Sequence, residues 1–113
     1  MDDARKFNIR DDESRLLCPA CGFPDAFAYP AYDEQSSLAG SGICGCCHWE
    51  PGFDDIPAAS GAAGASILDC LRNYRRGWTS FGPAWSGRPA EIPTGWNGKA
   101  QIEGLFAIAP WVR

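Results

Sequence analysis

Two cysteine pairs in the first half of the chain have the spacing of a metal site. Cys18 and Cys21 form one Cys-x-x-Cys unit, and Cys44 and Cys47 form a second. In each unit a tight turn directs two thiolates at one ion, and two such turns complete the tetrahedral set that zinc takes in structural sites. The spacing predicts one zinc ion bound by all four residues. Iron is the alternative, because tetrahedral sulfur ligands suit both metals.

Three further residues with reactive side chains accompany these pairs. Cys46 stands inside the second turn and is predicted to face outward as a free thiol, while Cys70 fits a small buried position on a helix. His48 is the single histidine of the chain, and its place next to Cys47 favours a surface or supporting role. Because Cys46 and His48 are both donors beside the last ligand, the exact ligand set stays open at this point.

The predicted metal site argues against catalysis. Four thiolates leave zinc without an open coordination position, so the ion cannot activate water. With one histidine, the chain cannot readily assemble a Ser/His/Asp or Cys/His nucleophile set. We therefore predict that the protein is not an enzyme and that its metal is structural.

The composition is that of one small folded domain. The chain has 113 residues, and its thirteen glycines and nine prolines predict short elements with much irregular structure. No apolar run approaches the ~20 residues that span a bilayer, and residues 1–6 lack the apolar core of a secretion signal. We expect a cytoplasmic protein without a membrane partner. A reducing compartment favours metal-bound cysteines over disulfides.

The segments around the cysteine pairs predict an α+β fold, a small zinc ribbon. Residues 1–14 are expected to form a poorly ordered arm, and residues 15–113 a single zinc-ribbon-like domain. Leu16-Leu17 and Ile43 lead into the two pairs, and we expect short strands there that the ion places side by side. Phe27-Ala28-Tyr29 is a further strand candidate.

Two helices are predicted in the second half of the chain. The first covers about residues 67–76, where Ser66 and Asp69 fit a capping box. Its apolar stripe, expected to pack on the metal-bound strands, consists of Ile67, Cys70, Leu71 and Tyr74. The second helix covers about residues 98–105 after Asn97. Between the helices, residues 81–96 alternate aromatics with Gly and Pro, a pattern typical of a chain wrapped across a surface.

The charges divide unevenly along the chain. Residues 1–69 hold twelve Asp/Glu against four Lys/Arg, a balance of −8, whereas residues 70–113 hold two against six, a balance of +4. Four thiolates on a divalent ion add −2 to the acidic half, which disfavours nucleic acid there. A basic protein partner is favoured instead, with aromatic anchors and steering carboxylates. The predicted partner-binding residues are Tyr32, Asp33, Glu34, Trp49, Glu50, Phe53, Asp54 and Asp55. The same aromatics could equally serve as core.

These motifs resemble those of the small bacterial cysteine-rich proteins of the CPCC type. The first is Cys18-Pro19-Ala20-Cys21-Gly22, and the second is Ile43-Cys44-Gly45-Cys46-Cys47-His48-Trp49-Glu50. The resemblance covers about residues 16–105. It implies a zinc-ribbon or rubredoxin-like site and, by analogy alone, a bacterial immunity protein that blocks a toxin domain. Cys46 and His48 depart from the usual pattern of rubredoxin-like turns.

Two alternative functions stay open. One is a rubredoxin-like redox protein that uses iron at the cysteine pairs or the thiol of Cys46. The other is a nucleic-acid-binding zinc ribbon that uses the basic C-terminal half of the chain. The candidate phosphate contacts of this second alternative are Arg72, Arg75, Arg76, Arg88 and Lys99.

Overall fold

Two α-helices in the second half of the chain are the main regular elements of the structure, a computed structural model that describes residues 3–56 and 66–113. Helix α1 spans Ile67–Thr79 and helix α2 spans Gly98–Ile108. Both correspond to helices predicted from the sequence, and each extends about one turn further than expected. Within the two described ranges, no helix is both long enough and apolar enough to cross a membrane.

The predicted capping box is present at the start of α1. The Ser66 hydroxyl accepts a hydrogen bond from the Asp69 backbone N–H, and the Asp69 carboxylate accepts one from the Ser66 N–H, both at 3.1 Å. At the other end the helix continues through Gly77. The half-buried Trp78 donates from its indole nitrogen to the Ala84 carbonyl at 2.7 Å, which holds the last turn against the following chain.

Helix α2 forms although it contains Gly98 and Gly104. The Asn97 side chain caps the helix by accepting a hydrogen bond from the Ala100 N–H at 3.0 Å. Ile102 and Leu105 are buried, and full burial of such a side chain contributes about 1.5–3 kcal/mol. This exceeds the roughly 1 kcal/mol that a helical glycine costs relative to alanine, so packing decides the outcome.

The α+β prediction is confirmed only in part, because the two helices form but the described residues contain no clear sheet. In the part of the chain that the structure describes, extended pairing is limited to isolated bridges. These bridges join Arg10 to Leu16, Leu17 to Pro24, and Tyr32 to Ser37. Ile43 and residues 27–29 belong to no strand. Prolines and glycines are frequent in this chain, and both interrupt the hydrogen bonds between strands. The cysteine turns are held by hydrogen bonds within each turn instead. The result is two helices packed on irregular, cysteine-rich loops.

Residues 4–9 are packed rather than loose, whereas the sequence predicted a poorly ordered arm over residues 1–14, of which residues 1 and 2 lie outside the described part of the chain. A 3₁₀ helix spans Ala4–Phe7, and Ala4, Phe7 and Ile9 are buried in the same core as the cysteines. The Asn8 side chain both donates to the Tyr32 carbonyl at 2.8 Å and accepts from the Tyr32 N–H at 3.0 Å. Residues 4–9 therefore form part of the packed domain, because their few apolar side chains find a shared core.

The segment between the helices wraps across the cysteine turns, as predicted. The Ser86 N–H donates to the Cys46 carbonyl at 2.7 Å. Trp85 packs edge-on against Phe23 and against Trp96, with ring centroids 5.3 and 5.5 Å apart. Among the C-terminal tryptophans, Trp78, Trp85 and Trp96 pack against the core, whereas Trp111 is exposed. The aromatic rings thus supply contact area that strands would otherwise provide.

Candidate metal centre

The two cysteine pairs lie on turns that share one backbone pattern. In the first turn the Cys18 N–H donates to the Phe23 carbonyl at 2.9 Å. In the second turn the Cys44 N–H donates to the Trp49 carbonyl, also at 2.9 Å. In both cases the bond closes a loop of six residues that contains the whole Cys-x-x-Cys unit. The two units of equal spacing therefore form equivalent turns, and they do so without flanking strands.

The residue that follows each pair has a left-handed backbone conformation. Gly22 has φ 86° and His48 has φ 67°, and each donates its N–H to the carbonyl of the first cysteine of its turn, at 2.7 and 2.9 Å. Gly22 is required for a second reason, since a Cβ there would lie 2.8 Å from the Gln101 carbonyl oxygen in α2. His48 takes the position usually held by glycine and keeps its side chain exposed.

The four thiols converge on one point. The Sγ atoms of Cys18, Cys21, Cys44 and Cys47 all lie within 4.8 Å of one another, and all four residues are buried. The Cys18–Cys47 and Cys21–Cys44 sulfur pairs are each 3.7 Å apart. Zinc–sulfur bonds of about 2.3 Å in a tetrahedron place sulfurs about 3.8 Å apart. The cluster can therefore hold a metal ion.

The electrostatics of the cluster call for a cation. Burial raises the pKa of the Cys18 and Cys21 thiols, whereas hydrogen bonds from neighbouring thiols lower the pKa of Cys44. Four thiolates this close repel one another in a buried environment. Without a bound cation, the four thiols therefore cannot all be ionised at once. A divalent ion removes this conflict, because it stabilises all four negative charges at once.

Arg75 of α1 holds the first turn from behind. Its guanidinium donates to the carbonyls of Pro19 and Ala20, between the two ligands of that turn, at 2.7 and 2.6 Å, and to the Val112 carbonyl at 2.7 Å. The group also lies 4.9 Å from the centre of the Phe106 ring. A buried cation that donates to three carbonyls connects the first cysteine turn, α1 and the C-terminus.

Arg75 is buried and is not the surface cation that the sequence predicts. Arg75 is 7% exposed, so it cannot contact a phosphate backbone. Its position four residues after Leu71 and three before Trp78 puts it on the apolar stripe of α1, and this was the available signal. The other candidate phosphate contacts, Arg72, Arg76, Arg88 and Lys99, are exposed.

Cys46 is buried, which corrects the prediction of an outward-facing thiol. Its sulfur lies 3.5 Å from the Gln101 Nε2 donor, and the same amide donates to the Cys21 carbonyl at 3.0 Å. Hydrogen bonding to the Cys21 thiol lowers the pKa of Cys46. Gln101 on α2 thus contacts both turns. No local sequence signal indicated this, because Gln101 and Cys46 are 55 residues apart.

Helix α1 contacts the second turn through the predicted apolar stripe. The Tyr74 hydroxyl donates to the Cys47 carbonyl at 2.7 Å, and its ring packs edge-on against Trp49 with centroids 5.1 Å apart. Cys70 and Leu71 are fully buried on the same face, as expected. The stripe therefore packs on the metal turns themselves rather than on strands.

The eight predicted partner-binding residues do not form one exposed surface. Tyr32, Trp49 and Asp55 are buried, and the Trp49 indole donates to the Tyr32 hydroxyl at 3.1 Å. The exposed members are Asp33, Glu34 and Phe53, and the half-buried members are Glu50 and Asp54. Tyr32 and Trp49 are therefore core residues that close over the metal turns, and Phe53 is the predicted aromatic anchor that remains accessible.

Comparison of the chain with protein-family models, with curated proteins and with solved structures gave no match. The resemblance to CPCC-type proteins therefore stays a prediction from the motifs. The structure defines a small irregular domain built around a cluster of four buried cysteines that can bind a metal ion.

Proposed function

We propose that the protein is a non-enzymatic, zinc-stabilised domain that acts by binding another protein. The observation that carries this proposal is the closed geometry of the cysteine cluster, in which four buried thiols fill every position of a tetrahedral ion. No position is left for water or substrate. Two other side chains that could take part in chemistry, those of Cys46 and Arg75, support the same conclusion. Both are buried and hydrogen-bonded within the fold.

We propose zinc as the bound metal and keep iron as the alternative, because four thiolates in a tetrahedron suit both ions. A closed thiolate site is the usual form of structural zinc, which contributes directly to the free energy of folding. Elemental analysis of the purified protein should give one zinc per chain and a colourless solution. A coloured protein with stoichiometric iron would instead support the redox alternative.

The protein-binding part of the proposal is supported by charge. The sequence from residue 16 to residue 71 contains seven Asp/Glu and no Lys or Arg, so the half of the chain that carries the metal centre is acidic. Acidic surfaces bind basic proteins through steering and complementarity. An immunity protein that occupies the basic, nucleic-acid-binding surface of a toxin domain is the specific form that we propose.

Co-expression with the product of the adjacent gene tests this form of the proposal. A stoichiometric complex that weakens as the salt concentration rises is expected, together with loss of the toxin's activity in the complex. Co-purification must be repeated with the two isolated proteins to exclude indirect contact. Absence of a complex, combined with salt-dependent binding of DNA or RNA by the isolated domain, would favour the nucleic-acid alternative.

A further inference from the structure

Four large apolar side chains are exposed on neighbouring loops in the acidic half of the chain. Each is between 39% and 62% exposed, far more than the apolar residues around the metal centre. We call this group the loop face, and it consists of Tyr29, Leu38, Phe53 and Ile56. Single exposed apolar residues need no explanation, but a contiguous group of them marks an interaction site.

Backbone contacts bring the parts of the loop face together. A Cβ on Gly52 would lie 2.7 Å from the Ala39 Cα, so the residues next to Leu38 and Phe53 touch. The Tyr29 hydroxyl lies 4.0 Å from the position of a Cβ on Gly40. The Ile56 N–H donates to the Phe53 carbonyl at 3.4 Å, which keeps these two side chains on one short turn.

Hydrogen bonds to buried groups fix the loops that carry this face. The buried Asp55 carboxylate accepts hydrogen bonds from the Ser37 hydroxyl at 2.8 Å and from the Gly52 N–H at 3.0 Å. The Leu38 N–H donates to the Ala31 carbonyl at 2.7 Å. A face held in place by the fold loses little conformational entropy when it binds, so more of its contact energy becomes affinity.

The charges around the face select the partner. Asp33 and Glu34 lie on the same loop as Leu38, and Asp54 is next to Phe53. Arg5 reaches Glu34 at 3.8 Å, but both groups are well exposed and such a pair is weak. Repulsion by these carboxylates disfavours nucleic acid and anionic lipid. A second copy docked through the same face would oppose like charges across its symmetry axis.

We propose that the loop face is the docking surface for a basic protein segment in which Lys or Arg side chains flank a large apolar side chain. The proposal rests on the protein-binding function above and names its surface and its partner chemistry. Phe53 is the proposed anchor, because it is the most exposed member of the face and is next to Asp54 in the sequence. Apolar contact supplies the affinity, and the carboxylates supply selectivity and a fast approach.

The test uses a random peptide library displayed on phage and selected on the immobilised, zinc-loaded protein. We expect enriched peptides that combine Lys or Arg with an aromatic or branched aliphatic residue. Phe53→Asp should weaken their binding at least tenfold, whereas Phe81→Asp should leave it unchanged, because Phe81 is fully exposed outside the face. Binding of these peptides should also weaken as salt rises from about 50 mM to about 500 mM.

Other results would overturn the proposal in distinguishable ways. Binding that is lost in Phe81→Asp and kept in Phe53→Asp would move the docking surface elsewhere and leave the protein-binding function intact. Self-association in sedimentation that Phe53→Asp abolishes would make a second copy the occupant. Enrichment of acidic peptides would refute the basic partner, and no enrichment at all would count against the protein-binding function itself. Equal melting and zinc content in both variants establishes that each one folds.

Discussion

Replacement of Arg75 by methionine should cost a large share of the stability of this domain. The change keeps an unbranched apolar stem of similar length and removes the guanidinium, which donates three hydrogen bonds of 2.6–2.7 Å to the carbonyls of Pro19, Ala20 and Val112. Because Arg75 is buried, these carbonyls would be left largely without water. We call these three hydrogen bonds the Arg75 clamp. The variant therefore tests how much the clamp contributes to the free energy of unfolding.

The expected magnitude follows from the three bonds. Hydrogen bonds to a charged group contribute about 1.5–3 kcal/mol each, so three of them contribute at least about 4.5 kcal/mol. Methionine avoids the desolvation penalty of a buried guanidinium, which offsets part of this loss. We expect a net decrease of about 3–5 kcal/mol in the free energy of unfolding, against a typical total of about 5–15 kcal/mol.

The assay is urea denaturation of the zinc-loaded protein, with Arg76→Met as the matched control. Arg76 is the next residue on the same helix and is exposed, so its replacement should change the free energy of unfolding by less than about 0.5 kcal/mol. Arg75→Lys should recover only part of the loss, because an ammonium group cannot reproduce the planar fork of three donors. Equal midpoints for Arg75→Met and Arg76→Met would show that the three hydrogen bonds of Arg75 contribute little to stability.

Three further predictions concern the metal turns. Cys47→Ser should abolish stoichiometric zinc and unfold much of the chain, because metal affinity here is folding free energy, whereas Cys70→Ala should keep the zinc and only lower the melting temperature; full zinc content in Cys47→Ser would show that the ligand set is wrong. Cys46→Ala should keep one zinc per chain and destabilise by about 1–2 kcal/mol through the lost contact with Gln101, and loss of zinc in elemental analysis would make Cys46 a ligand. His48→Gly should raise stability in thermal unfolding by up to about 1 kcal/mol, because residue 48 has a positive φ and an exposed side chain; a lower melting temperature would mean that the imidazole makes a needed contact.

The cysteine cluster and the helices could be predicted from the sequence because their signals are local. Two Cys-x-x-Cys units produced two equivalent turns, and the Ser66–Asp69 capping box lies where the sequence placed it. Such features depend on residues a few positions apart, whose geometry is decided by short-range sterics and hydrogen bonds. The apolar stripe of α1 could be predicted for the same reason, since helical periodicity does not depend on the rest of the chain.

The prediction of strands was wrong because a strand needs a second strand to pair with, and the sequence does not show whether one is available. Leu16 and Leu17 pair only in isolated bridges, while Ile43 pairs with nothing in the described residues. The metal turns remain in place because two helices and a wrapped aromatic segment cover them. Packing between distant parts of the chain therefore replaced the ladder hydrogen bonds that a ribbon would use.

The burial of several individual side chains is the property that could not be predicted from this sequence. Residue types and spacing determined the four candidate ligands, the acidic half and the two helices. Tertiary structure decided that Cys46 faces inward, that Arg75 is a clamp rather than a surface cation, and that Trp49 is core while Phe53 is exposed. The physical reason is that these outcomes depend on contacts such as those of Arg75 with carbonyls 55 and 56 residues away, and carbonyl groups carry no sequence signal.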